Sequence, residues 1–263
     1  MSSAAAFFDL DRTLMAGSSG IHFARAAYRT GLVGRGQLAR WGAEHLRFRL
    51  RGSTDQRTER VLSQVRDLLR GVPERAVARM TPQLLAGVLP SIYPQMLDEV
   101  HAHQDAGRPT FIVSAAGHGL IELLARVLDM EGGIGTRYAV DADGRLTGGL
   151  HGPFMYGEGK VTAMRDFAAE HDIDLAASWA YSDSASDLPM LRAVGHPVAV
   201  NPDLELARLA AEEGWRVMRF EKLGRRLKIA AATLLAAAMG GSGGVLASRR
   251  RRSPRRGFAL RRR

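Results

Sequence analysis

Three short apolar runs, AAAFF, PTFIV and ASWAY, each lead into an oxygen-bearing side chain: Asp9, Ser114 and, after Ser182, Asp183. Helical patterns separate them, and strands that alternate with helices build a mostly parallel sheet covered on both faces. Ligands of such sheets gather beyond the carboxyl ends of the strands. Three polar strand ends therefore point at one crevice, and the fold class reads as α/β.

The first run ends FFDLDRTL. Side chains two apart on a strand share a face, so Asp9 and Asp11 can converge on one point. Like charges held that close raise one another's pKa unless a cation or a proton sits between them. The ordinary alternative is a solvated loop with acids at a strand end.

Between Ser18 and about Gln95, segments such as GIHFARAAYRTGL, QLARWGAEHLRFRL and TERVLSQVRDLLR carry apolar residues three and four apart, which predicts about four to five helices. Strand signals return at Pro109, where PTFIVS reads as a strand stopping at Ser114 before the helix HGLIELLARVLDM. GTRYAVDADGRLTGGLHG reads as a hairpin turning at Asp143-Gly144. A helix opens at Gly157–Lys160, and after Asp183 come a helix and two more strands, HPVAVNP and GWRVMRF. The expected organisation is a core of residues 1–15 and 96–225, a helical insert of residues 16–95, and a tail of residues 226–263.

Composition narrows the chemistry. The absence of cysteine excludes disulfides, thiolate zinc sites and cysteine nucleophiles. It suits a cytoplasmic protein, and the N-terminus lacks the basic and apolar regions of a signal peptide. The net charge of +10 is misleading: setting aside the eleven Lys and Arg from Arg226 onward leaves 26 basic against 27 acidic residues. The insert carries thirteen Arg, no Lys and five acids, a pattern read here as the solvated faces of amphipathic helices rather than as an anion pocket.

The ordered set D9-L-D-R-T13-L, FIVS114, GEGK160 and SD183SASD187LPML resembles the haloacid dehalogenase superfamily of phosphohydrolases, over about residues 4 to 220. The helical insert resembles the cap of its phosphoserine-phosphatase-like branch. The resemblance implies a Rossmann-like core and a magnesium-dependent phosphomonoester hydrolase. Asp9 would be the nucleophile that forms an aspartyl-phosphate, and Asp11 the general acid and then base. Asp183 would join Asp9 and the Asp11 carbonyl around Mg2+, which prefers oxygen ligands. Asp187 would hold the metal shell or Lys160, or is an acid at a helix N-terminus. Ser114, with the Ala115 and Ala116 amides, would bind phosphate oxygens or simply cap the following helix. Lys160 would set a positive charge beside the transferring phosphoryl group. Thr13 would bind phosphate or cap a turn. Asn201 would reach the metal loops or form a turn, while His22, His45, His118 and His151 show no metal spacing.

The match departs from the family in two places. MAGSSGIHF has Ser18 and Ser19 where phosphoserine phosphatases usually carry an acid that meets the substrate amine, which argues against phosphoserine and leaves a sugar phosphate, a lysophospholipid or another small phosphorylated substrate. Ser182-Asp183 stands where the family commonly has Gly-Asp. Two readings from other classes compete: a receiver module, which predicts neither DxDxT nor a large insert behind it, and a non-catalytic scaffold on the same fold. Beyond the core, IAAATLLAAAMGGSGGVLAS is twenty uncharged residues, followed by nine Arg. Ala and Gly make it a poor membrane span; the Arg run suits an anionic membrane surface or, equally, a disordered extension with no partner, with nucleic acid the less favoured partner. The sequence carries no signal for oligomeric state.

Overall fold

Strand β1 (Ala6–Phe8) is only three residues long and wholly buried, because it lies in the middle of a sheet flanked on both faces. The computed structural model describes residues 3–36 and 55–220. Within them the chain continues through α1 (Ser19–Arg29), α2 (Asp55–Leu69), α3 (Glu74–Ala78), α4 (Thr81–Val88) and α5 (Pro94–Asp105) before the second strand. Then follow β2 (Thr110–Gly117), α6 (His118–Val127), β3 (Gly132–Thr136), β4 (Tyr138–Val140), β5 (Leu146–Leu150) and α7 (Glu158–Glu170). The last elements are β6 (Trp179–Ser182), α8 (Leu188–Arg192), β7 (His196–Val200), α9 (Leu204–Glu212) and β8 (Arg216–Met218).

Six strands form one sheet in the order β3-β2-β1-β6-β7-β8, with every pair parallel. The order reverses about β1, the kind of switch point at which a crevice opens beyond the strand ends. Phe8 pairs with Ile112 on one side and with Tyr181 on the other. That register puts Asp9, Ser114 and Asp183 within one residue of a common level. Beneath them Phe7, Phe111, Val113, Val161, Met164, Ala180 and Met190 form a core cluster, and a fully buried side chain of this size contributes about 1.5–3 kcal/mol.

The other face of the sheet holds a polar network, and the apolar spacing of α5 gave no sign of it. Arg108 Nε donates to His103 Nδ1 at 2.8 Å, which leaves Nε2 to carry the proton toward Tyr181 Oη, also at 2.8 Å. Tyr181 Oη donates to Glu99 Oε2 at 2.9 Å, and Arg216 grips both oxygens of Glu99 at 2.8 and 2.6 Å. Burial, and next to it the Arg108 guanidinium, lower the His103 pKa to about 4.

The described helices between β1 and β2 join the rest of the molecule in two ways. An apolar cluster of Ala26, Ala27, Val33, Met80 and Leu84 closes over Leu120 of α6, with Ala116 packed against it. The β4–β5 hairpin is antiparallel, turns at Gly144 with φ 72°, and leans on α2, where Arg66 Nε donates to the Gly148 carbonyl at 2.6 Å. The two crossings into and out of the insert brace each other: Ala16 N donates to Ser91 O at 2.7 Å and Tyr93 N to Leu14 O at 2.9 Å. His45 and the helix expected around residues 37–54 lie outside the described residues, as does the tail of residues 226–263. Among the described residues no helix is long and apolar enough to cross a membrane.

Candidate active site

The chain leaves β1 through a tight turn rather than continuing as a strand. Leu14 N bonds to Asp9 O at 3.2 Å and Met15 N to Leu10 O at 3.0 Å, with Arg12 at φ 65°. A left-handed backbone at a residue with a Cβ costs about 1–2 kcal/mol, the sort of strain that collects at functional sites. The turn gives the two acids different partners, Lys160 for Asp9 and the residues around the start of α1 for Asp11, while Asp11 remains near enough to add to the rise in the Asp9 pKa.

Asp9 is buried and meets Lys160: Nζ lies 2.5 Å from Asp9 Oδ1 and 2.7 Å from Asp187 Oδ2. Burial, offset in part by Lys160 and reinforced by Asp187 and Asp11, raises the Asp9 pKa to about 7. Burial alone would pull the Lys160 ammonium down, but Asp187 and Asp9 outweigh it and its pKa is raised. Asp187 also accepts from Ser182 Oγ at 2.7 Å.

Two glycines explain how Lys160 reaches this place. Gly157 has φ 53° and ψ −122°, a conformation that excludes side chains, and it caps α7. At Gly159 a Cβ would sit 1.9 Å from the Phe154 carbonyl oxygen. The Gly-x-Gly-Lys pattern is thus a backbone requirement for starting α7 where Lys160 points at Asp9.

Asp183 follows β6 and is buried, and burial raises its pKa well above the usual carboxylate range, with Arg12 opposing and Asp9 and Asp187 adding to the rise. Its Oδ2 lies 3.2 Å from Arg12 Nη1 yet accepts no hydrogen bond of good geometry. Thr13 Oγ1 is likewise buried without a hydrogen bond. Asp11, only partly buried, has its carboxylate on the insert side, where Oδ2 accepts from Ser18 Oγ at 2.9 Å and Oδ1 from Ser19 N at 2.8 Å.

Ser114 is buried, and its Oγ accepts from Ala116 N at 3.2 Å. The sequence reading stops the strand here; instead β2 runs on to Gly117, and α6 starts at His118 with Gly117 as its cap. Ser114 pairs with Gly135 and Gly117 with Thr136, so Ala115 and Ala116 are extra residues bulged out of the ladder. Their position beyond the sheet therefore comes from a bulge, not from a helix N-terminus. Thr136 Oγ1 donates to the Ala115 carbonyl at 2.9 Å and steadies it. Asn201 sits at φ 43° just past β7, its amide bonded to Met218 O at 2.8 Å, which is a turn position.

Sequence reasoning missed Arg12, which faces Asp183 only because of the left-handed turn, and the bond of Ser182 to Asp187. It noticed Ser18 and Ser19 only as the absence of an acid.

A family model for haloacid dehalogenase-like hydrolases matches residues 6–192. The chain belongs to that family. Among relatives, the inhibition of morphological differentiation protein of Streptomyces azureus is 36% identical over 219 residues, covering 83% of this chain and 79% of its own. A phosphoserine phosphatase of Mycobacterium tuberculosis (strain ATCC 25618 / H37Rv) is 36% identical over 228 residues, covering 83% and 71%. A crystal structure of a protein of unknown function from Bordetella pertussis Tohama I superposes with a TM-score of 0.71 at 29% identity, covering 83% of this chain and 99% of that one. These likenesses put the haloacid dehalogenase-like chain in the phosphoserine-phosphatase-like branch of its superfamily.

Proposed function

We propose that the protein is a magnesium-dependent phosphomonoester hydrolase that works through an aspartyl-phosphate on Asp9. The observation that carries this reading is the buried bridge from Asp9 through Lys160 to Asp187, beside a second buried carboxylate, Asp183. A structural ion pair would need one carboxylate per cation; this pocket holds three buried carboxylates against Lys160 and the half-exposed guanidinium of Arg12, and the remaining negative charge suits a further cation.

No three His, Cys, Asp or Glu side chains among the described residues form a complete cation cage. Mg2+ needs none, since it keeps several waters and takes one or two carboxylates. Asp183 Oδ2, buried and without a hydrogen bond, fits that role. Asp9, Asp183 and the Asp11 backbone carbonyl would hold the ion. When bound, it would neutralise charge on phosphoryl oxygens.

In the proposed reaction the Asp9 carboxylate attacks phosphorus as the bond to the leaving alcohol breaks, and Asp11 gives that oxygen its proton. Asp11 then takes a proton from water, which attacks the aspartyl-phosphate and frees Asp9. Lys160 holds the attacking carboxylate in place and offsets charge in the transition state. Ser114, the bulged amides behind it and Thr13 would bind the phosphate oxygens.

For substrate we propose a small anionic phosphorylated metabolite or a lysophospholipid. Phosphoserine is disfavoured because residues 16 to 21 offer its amine no carboxylate. An association of the Arg-rich tail with anionic membrane surfaces belongs to the same proposal.

Purified protein should release phosphate from p-nitrophenyl phosphate with Mg2+, and acid quenching should trap phosphate on the chain. Asp9→Asn should abolish both. Phosphate release by that variant at the native rate would refute the nucleophile. Mg2+ should also raise the melting temperature of the native protein and leave that of Asp183→Asn nearly unchanged.

A further inference from the structure

The nucleophile and the acid are referenced to different parts of the molecule. Asp9 is fixed by Lys160 of α7, whereas both oxygens of Asp11 are held by the N-cap and the first residue of α1. Ser18 Oγ accepts from Gly20 N at 3.2 Å while it caps that helix. With its acceptor side engaged there, the hydroxyl directs its proton to Asp11 Oδ2, 2.9 Å away. Ser19, which is buried, adds its backbone N–H to Oδ1. Two donors on two oxygens fix both the rotation and the tilt of the carboxyl group. Gly17, at φ 86°, turns the chain just before Ser18, and the contact spans the braced crossing between sheet and insert.

We infer that Ser18 is a positioning residue for Asp11: its hydroxyl, supplied by the helical insert, aims the carboxyl group that delivers the proton to the leaving oxygen. The inference rests on the acid–base role proposed for Asp11. It also gives a use to the serines that replace the family's acid in MAGSSG, since these residues address the acid rather than a substrate amine.

A leaving-group comparison separates aim from mere helix capping. Ethyl phosphate needs its alcohol protonated as it leaves; p-nitrophenyl phosphate does not, because nitrophenolate is a stable anion. kcat/KM reports the step that forms the phosphoenzyme, and its ratio between two substrates is independent of how much of a variant is folded. Ser18→Ala should lose about tenfold or more on ethyl phosphate and about twofold or less on p-nitrophenyl phosphate. Ser18→Thr, which keeps the hydroxyl and the cap, should restore the native ratio. An unchanged ratio in Ser18→Ala, with or without a lower melting temperature, overturns the inference and marks Ser18 as a helix cap alone. Asp11→Asn distinguishes the two failures. A much steeper loss on ethyl phosphate than on p-nitrophenyl phosphate upholds Asp11 as the acid, so that a flat Ser18→Ala then overturns positioning only. Equal losses of Asp11→Asn on both substrates remove the acid role itself, and the inference with it.

Discussion

Ser182 Oγ donates to Asp187 Oδ2 across 2.7 Å, and both side chains are buried. A hydrogen bond to a buried charge contributes about 1.5–3 kcal/mol. Ser182→Ala should therefore lower stability by about 2 kcal/mol in urea denaturation. Asp187 would also hold Lys160 less firmly, and kcat/KM for p-nitrophenyl phosphate should fall several-fold. A variant equal to the native protein in both would make the bond incidental.

Lys160 is the shared cation of Asp9 and Asp187. Lys160→Met strands two buried carboxylates, and breaking a buried pair in this way costs about 3–5 kcal/mol. Because Asp9→Asn removes one of those charges, the double variant should be more stable than the sum of the single effects implies. Guanidinium denaturation of the four proteins measures the coupling, and strict additivity would contradict the contact.

Gly159 tolerates no side chain, because a methyl group there would lie 1.9 Å from the Phe154 carbonyl oxygen. Gly159→Ala must displace backbone, at a cost of about 1–3 kcal/mol. The start of α7 moves with it, so phosphate release should fall by more than the loss of folded protein explains. Circular dichroism melts alongside initial rates would separate the two effects.

His103 supplies the pH dependence that lies away from the reacting groups. Its pKa is depressed to about 4 by burial and by Arg108, against about 6.5 in an unfolded chain. The neutral ring therefore stabilises the fold fully above about pH 6.5, and that contribution is lost as pH falls through about 4. The native protein should lose stability over this window faster than His103→Gln. The difference is bounded by about 1.4 kcal/mol per pH unit and is smaller where water screens the network. Parallel slopes in urea denaturation between about pH 4.5 and about pH 7 would refute the assignment.

The sheet and its polar edge were legible because apolar runs that stop on Asp9, Ser114 and Asp183 leave few other folds open. Lys160 was legible by its place between two motifs, but Gly157 and Gly159 acquire their reason only when α7 meets Phe154. Arg12 was not legible, since nothing in DLDRT announces a left-handed residue that turns a guanidinium toward Asp183. The end of β2 was misjudged because a bulge leaves no periodicity: Ala115 and Ala116 look the same in a strand, a bulge or a first helical turn. His103 sits on a helix whose apolar pattern is weak, so its bonds to Arg108 and Tyr181, which come from beyond that helix, were invisible along it.

The paired crossings at Ala16–Ser91 and Leu14–Tyr93 tie together the places where the helical segment departs and returns. With departure and return tied to each other, a displacement of the segment reaches the end of β1 from both crossings at once.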